Sequence, residues 1–257
     1  MPRPPNLEGP DKVAVAEANY LAAWKLLVQL SNGGSVEETD QVMFTIVPAP
    51  IAYFNSAFVK PGVDPTSCLE SVKAFYAVRD KPFTLRFRES AAAAATCQGA
   101  GLVPAGQSPL MNVATAEVEP AMGLEVRPVD AGTWNDHLRA IAVGFGMPPK
   151  LVAGMFLPTL LDGDHYAAFN AYIAGEVVST AALIVTDGIA GIYNVATVKD
   201  FRRRGLGEAA TRAAVVEGHR RGCRIATLQS SQMGFRVYER MGFRTVATWT
   251  SLTDGQH

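Results

Sequence analysis

Three consecutive arginines, Arg202, Arg203 and Arg204, run directly into Gly205-Leu206-Gly207. The residues before them, "GIAGIYNVATV", read as a strand, and those after, "GEAATRAAVVEGHRRG", read as a helix ending at Gly222. A helix N-terminus presents unpaired backbone N–H groups and a partial positive charge. Guanidinium groups beside it add to that potential, so the junction suits a phosphate. Three phosphate-binding arrangements compete. A P-loop needs Lys and Ser or Thr directly after its last glycine, whereas Glu208 and Ala209 follow Gly207. A dinucleotide fingerprint is met in form by Gly205, Gly207 and Ala210. The next strand, however, ends Gln229-Ser230-Ser231 without the acidic residue that would hold a ribose, and too little chain remains for a full mononucleotide-binding half.

The third arrangement accounts for more residues. Arg202-x-x-Gly205-x-Gly207, placed just after "VATV", resembles the pyrophosphate-binding motif of the GNAT superfamily of N-acetyltransferases. "SSQMGFRVYERMGF", residues 230–243, resembles the same superfamily's later motif, with Tyr238 four residues before Gly242-Phe243. A helix and a strand separate the two motifs, as that fold requires. The resemblance is detailed over residues 188–246, and the coarse strand-helix order fits from 123 to 254. It implies an α/β fold: a mixed, mainly antiparallel sheet flanked by helices.

The resemblance further implies an acetyl-CoA-dependent N-acetyltransferase that moves the acetyl group directly to a primary amine. Backbone N–H groups of Arg203, Arg204, Gly205, Leu206, Gly207 and Glu208 would then hold the pyrophosphate, the two glycines allowing close approach of the backbone. Ala196 and Val198 would bond the pantetheine through their backbone. Ser231 stands where many relatives have an asparagine that also contacts the cofactor. Tyr238 aligns with the tyrosine that protonates the departing CoA thiolate, a role open to a phenol with a pKa of about 10 facing a thiol of about 8.5. The rival reading is a non-catalytic acyl-CoA-binding protein, which keeps the glycine loop but needs neither Tyr238 nor a base.

The base is the weak point. A lysine-like amine, with a pKa of about 10.4, is almost wholly protonated at neutral pH. Many relatives carry a glutamate on the strand before the glycine loop, but "GIAGIYNVATV" holds no carboxylate and no histidine. Asp164, His165 and His137 are candidates, each also readable as a turn or surface residue, and no base is assigned. Tyr193 and Asn194 could line the pocket or pack.

The elements that must position these residues can be traced along the chain. Residues 1–10 read as an irregular arm, and from Asp11 to Leu30 apolar residues recur at helical spacing. Ser35 and Glu38 have capping-box spacing, which predicts a short turn. "VMFTIVPAPIAYFNSAFV" reads as two strands bent at Pro48 and Pro50, and Asp64-Pro65 opens a helix. "FTLRFRE" alternates like a strand with one wet face, and Ala91–Ala95 favours helix. Residues 99–123 are rich in glycine and proline, which places a domain boundary near Pro120. The second half reads β-α-α-β-β-β-α-β-α-β, with a helix over 150–161 and strands hinged at Ala174-Gly175. Residues 1–119 are compatible with a degenerate copy of the same fold. They lack the arginine-glycine loop: the nearest glycine pair, Gly99 and Gly101, has Thr96 where the arginine should be. The expected organisation is therefore a silent or accessory domain over 1–119 and a catalytic domain over 120–257.

Composition sets the remaining bounds. Hydrophobic residues make up 48% of the 257, enough for a substantial core. The net charge of -1 argues against a general nucleic-acid binder, although ten arginines lie between Arg202 and Arg244. Cys68, Cys97 and Cys223 are too few and too far apart for a disulfide framework or a metal site, and no long apolar run occurs. The expectation is a cytoplasmic enzyme without metal, a monomer or homodimer, using a small-molecule or peptide amine as acceptor.

Overall fold

The computed structural model describes residues 11–255; the irregular arm expected over residues 1–10 lies outside them. The chain opens with helix α1 (Asp11–Gln29) and strands β1 (Ser35–Glu38), β2 (Val42–Ile46) and β3 (Ser56–Val59). Helix α2 (Leu69–Ala77), β4 (Thr84–Arg88), α3 (Ala91–Gly99) and β5 (Val103–Ala114) follow. Then come β6 (Glu125–Pro128), α4 (Trp134–Phe145), α5 (Pro149–Met155), β7 (Tyr166–Ile173), β8 (Glu176–Thr186) and β9 (Ile189–Thr197). Helix α6 (Leu206–Arg220), β10 (Ile225–Gln229), α7 (Gln232–Arg240) and β11 (Arg244–Thr253) complete it.

Two compact units form. The larger takes the chain up to Ala23 and Met111–Val246; the smaller takes Trp24–Leu110 and Ala247–His257. The sequence places one cut near Pro120. Packing instead changes unit within three elements: at Ala23/Trp24 in α1, at Leu110/Met111 in β5 and at Val246/Ala247 in β11. Met111 and Val113 of β5 are buried with α6 and β9 residues of the larger unit, whereas Leu252 of β11 is buried with the smaller unit's aromatics. The glycines and prolines of 99–123 therefore do not mark a linker; nearly half of that stretch is the twelve-residue strand β5.

In the larger unit β6, β7, β8 and β9 pair antiparallel in sequence, and β10 then pairs parallel to β9. A parallel partner requires a crossover, supplied by α6. Gly218 lets α6 lie on the sheet: a Cβ there would come within 2.6 Å of the Ala190 Cβ. Ala174 (φ 50°) and Gly175 (φ 83°) form the left-handed turn between β7 and β8 that the sequence predicts. The expected helix over 150–161 breaks after Met155, since Pro158 lacks an N–H to continue it, and a 3-10 turn spans Pro158–Asp162.

The smaller unit repeats this order. Strands β1, β2 and β3 pair antiparallel, α2 crosses over, and β4 pairs parallel to β3 and antiparallel to β11. Two local expectations change here. Ser35–Glu38 is a strand rather than a capped turn, and Glu38 pairs with Lys25 and Lys60. Strand β4 has no wet face until Arg88, because it is central and covered on both sides. Trp249 of β11 is 1% exposed and lies 6.3 Å from the Phe58 ring. Trp249→Ala should therefore cost about 3–5 kcal/mol of stability, as large core truncations do. Urea unfolding monitored by circular dichroism checks this; a loss below 1 kcal/mol would mean β11 is not integral to the smaller core.

Candidate functional site

The site is built on the junction the sequence singles out. After β9 the chain makes a 3-10 turn at Lys199–Phe201, and α6 starts with Gly205 as its N-cap. Gly205 has φ +79°, the left-handed region that favours glycine, and even Arg203 is held at φ +63°. No side chain caps α6. Ala209 N–H bonds the Gly205 carbonyl at 2.9 Å, which leaves the N–H groups of Leu206, Gly207 and Glu208 as first-turn donors.

The arginines differ in role. Arg202 is spent on backbone: its Nε donates to Thr197 O at 3.1 Å and its Nη2 to Gly144 O at 2.9 Å, pinning the loop to β9 and α4. Arg203 and Arg204 are exposed, with Arg204 over the Phe201 ring at 5.2 Å. None of the three has an acidic partner among the described residues. Of the two carboxylates near the loop, Glu208 is drawn to Arg212 at 2.9 Å and toward Arg240 at 3.7 Å, and Asp200 meets Arg204 only through its backbone carbonyl, at 3.3 Å. No ion pair among the described residues thus neutralises the three arginines at the helix start.

The glycines also differ. A Cβ on Gly205 would meet only Leu124 Cδ1 at 3.6 Å, so its requirement is conformational. A Cβ on Gly207 would sit 3.0 Å from Thr197 Oγ1. The missing side chain at 207 therefore serves the docking of α6 on β9, not only approach to a ligand.

Strand β9 opens a slot beside this helix end. Its parallel pairing with β10 runs Ala190↔Ala226, Gly191↔Thr227 and Ile192↔Leu228 and then stops, while β9 continues to Thr197. Beyond Ile192 the β9 edge has no strand partner on that side. Between Tyr193 and Ala196 the register against β8 shifts, and Asn194 takes φ +51°, a β-bulge.

Two sequence assignments on this edge need correction. Val198 N–H donates to Val178 O at 2.9 Å, and the Ala196 carbonyl accepts from Ser179 Oγ at 2.8 Å. Both residues thus turn their backbone groups toward β8. By the alternation of a strand, Val195 and Thr197 turn theirs to the open edge. Ser231 is likewise occupied: it is the N-cap of α7, its hydroxyl accepting from Gly234 N–H at 3.2 Å.

Tyr238 lies buried on α7, its ring over Gly234 and edge-on to Phe243 at 5.9 Å. Burial pushes its phenol up to about 12, opposed by the Thr211 hydroxyl. Thr211 carries no motif signature, yet it gives its own proton to Gly207 O at 2.8 Å and so ties α7 to the first turn of α6.

The candidate bases separate clearly. Asp164 and His165 are exposed, and His165 Nδ1 lies 3.3 Å from Val185 O. His137 is not a surface residue; it is 0% exposed beneath α4. Thr180 Oγ1 spends its proton on Phe169 O, so it must accept from His137 Nδ1 at 2.7 Å. That leaves His137 Nε2 to accept from Tyr166 O–H at 2.9 Å. Burial holds this imidazole down to about 3, neutral throughout the working range. Tyr193 is buried, its hydroxyl donating to Asn19 Oδ1 of α1 at 3.2 Å.

Residues 134–243 match the acetyltransferase (GNAT) family model. Residues 134–243 thus form a GNAT-family domain, and the chemistry of that family is acyl transfer. A GCN5-related N-acetyltransferase from Kribbella flavida is similar over 96% of this chain and 95% of its own, at 21% identity and a TM-score of 0.72. Another from Sphaerobacter thermophilus matches over 84% and 81%, at 18% identity and TM-score 0.63. A tandem GNAT protein from the clavulanic acid biosynthesis pathway matches over 95% and 96%, at 11% identity and TM-score 0.56. At these identities the likeness is one of fold, and it extends over both halves of the chain. No curated protein matches the sequence. No helix of the described residues is long and apolar enough to cross a membrane, and no group of three metal-ligating side chains occurs among them.

The buried imidazole of the GNAT domain makes stability depend on pH. In the unfolded chain His137 titrates near 6.5, in the folded chain near 3. Between those values only the unfolded chain takes up this proton, so stability falls as pH drops through the window, by up to about 1.4 kcal/mol per unit. His137→Gln should be less stable at pH 7 but show a shallower loss from pH 6.5 to 4. Urea midpoints across that range test it, and identical slopes in the two proteins would remove His137 as the source.

Proposed function

We propose that the protein transfers an acetyl group from acetyl-CoA to a primary amine. One observation carries the reading: an uncapped helix start, rimmed by arginines without acidic partners, adjoins an unpaired strand edge. First-turn N–H groups of α6, with Arg203 and Arg204 beside them, suit a pyrophosphate; the Val195 backbone and the Thr197 N–H, whose own carbonyl is taken by Arg202, suit a pantetheine amide chain. Acetyl-CoA supplies an activated thioester. Tyr238, protonated at every pH up to its raised pKa, suits proton donation to a leaving thiolate. Strand β9 carries no carboxylate or imidazole, so the acceptor amine loses its proton to water or arrives neutral.

The smaller unit is proposed as a silent copy. Its equivalent junction, between β3 and α2, is closed by its own acid: Asp64 accepts from Thr66 N–H at 3.0 Å and from the Thr66 hydroxyl at 2.7 Å. A carboxylate thus holds the place an anion would take, and no arginine flanks it. This is the topological counterpart of the loop, rather than Gly99 and Gly101, which lie at the end of α3. The acceptor is a small molecule or a peptide, and the three buried free thiols suit a reducing cytoplasm.

Gly205→Ala should weaken acetyl-CoA binding about tenfold, since a Cβ in the left-handed region costs about 1–2 kcal/mol. Isothermal calorimetry checks it, and unchanged affinity in a folded variant would dissociate the loop from the ligand. Tyr238→Phe should lower kcat at least about tenfold with little change in acetyl-CoA affinity. For the wild type, kcat should rise with the acceptor's own ionisation, without a limb near pH 4–6. Full turnover in Tyr238→Phe would refute the acid role, and an acidic limb would reveal an enzyme carboxylate acting as base.

A further inference from the structure

The fork between β9 and β10 holds two features the glycine loop does not use. Ile192 and Leu228, the last pair before the strands part, are buried in the core shared with α6. Alternation turns their neighbours to the other face: Gly191, Tyr193, Thr227 and Gln229. Gly191 confirms the direction, since a Cβ there would strike Asn19 of α1 and the Tyr193 ring. Asn194 would point back toward α6 in a regular strand. The bulge keeps it on the face of Tyr193 instead, where it lies against the Tyr166 phenol.

Each arm of the fork therefore carries one side-chain amide just past the final pair, Asn194 on β9 and Gln229 on β10. The Gln229 Nε2 atom is buried with no hydrogen-bond partner among the described residues, and Asn194 Nδ2 is buried with the Tyr166 phenol as its one polar neighbour on that side. A buried donor left unpaired costs free energy, and native proteins rarely carry one without a use. Neutral groups on this face include Asn19, Tyr193, Tyr166 and the uncharged imidazole of His137. Donors fixed in such a setting are worth most where negative charge develops during reaction.

Building on the acetyl-CoA reading above, we propose that Asn194 and Gln229 donate hydrogen bonds to the carbonyl oxygen of the bound acyl thioester. The amine nitrogen attacks the carbonyl carbon and forms the C–N bond, and the carbonyl π electrons move to the oxygen that the two amides face. The electrons then return, the C–S bond breaks, and the sulfur takes a proton from Tyr238. The proton shed by the amine balances the one Tyr238 gives up. Asn194 and Gln229 are thus catalytic residues, while His137 and Thr180 are positioning residues that fix Tyr166 behind Asn194.

Infrared spectroscopy of [1-13C]acetyl-CoA bound to the protein reads these bonds without any acceptor. The labelled carbonyl band should lie at lower wavenumber than in free solution. Asn194→Asp, which tolerates the left-handed backbone, and Gln229→Met, which keeps the volume, should each move it back toward the free position. Acetyl-CoA affinity by calorimetry should stay within about threefold, and kcat should fall at least tenfold, loss of one such donor typically costing about 10²–10³. A wild-type band at the free position, or one unmoved in both variants, overturns the proposal while leaving the acetyl-CoA reading intact. Failure of the wild type to bind acetyl-CoA overturns both.

Discussion

Everything at the site depends on strand β9 being held on one side and released on the other. Along its whole length it pairs with β8, yet on the opposite edge it keeps β10 only as far as Ile192. Released edges are unfavourable unless something satisfies the backbone, so the parting has to be imposed. Three features impose it. The bulge at Asn194 bends β9 away, Gly207 and Gly218 let α6 press on the same strand, and Arg202 ties the strand's end to α4. The helix start and the open edge then become neighbours because a single short loop joins them.

The same topology in the smaller unit shows how little separates an uncapped junction from a capped one. Both units place a crossover helix between two parallel strands, and in both the helix start carries orphan N–H groups. In the larger unit the orphans remain, with guanidinium groups around them. In the smaller unit Asp64 caps the 3-10 turn Pro65–Cys68 that leads into α2, and the Thr66 hydroxyl and N–H hold its carboxyl below the usual range. Because β5 and β11 each contribute to two cores, neither unit is completed from one continuous stretch of chain.

Burial sets the protonation states at the site. Tyr238 and Tyr166 are both pushed above the ordinary phenol range by desolvation, and His137 is pushed below the ordinary imidazole range by the same cause. The larger unit's interior near the fork therefore offers phenols that keep their protons and an imidazole that stays neutral.

The sequence alone determined the class of fold, the strand-helix order from 123 onward, and the loop and tyrosine motifs, because each rests on local backbone demands. A left-handed Gly205, a glycine under a helix and a polar helix start are written in neighbouring residues. Tertiary structure alone decided the rest. Strand β5 was hidden by its glycines and prolines, and β4 looked half-wet because its neighbours β3 and β11 come from distant sequence. Whether Ala196 or Thr197 faces the open edge depends on register against β8, and register is a non-local property. Ser231 reads as a ligand contact until its hydroxyl is seen capping α7. Asn194 and Gln229 carry no motif at all; only the point where β9 and β10 separate, after Ile192 and Leu228, puts both residues on the arms of one fork.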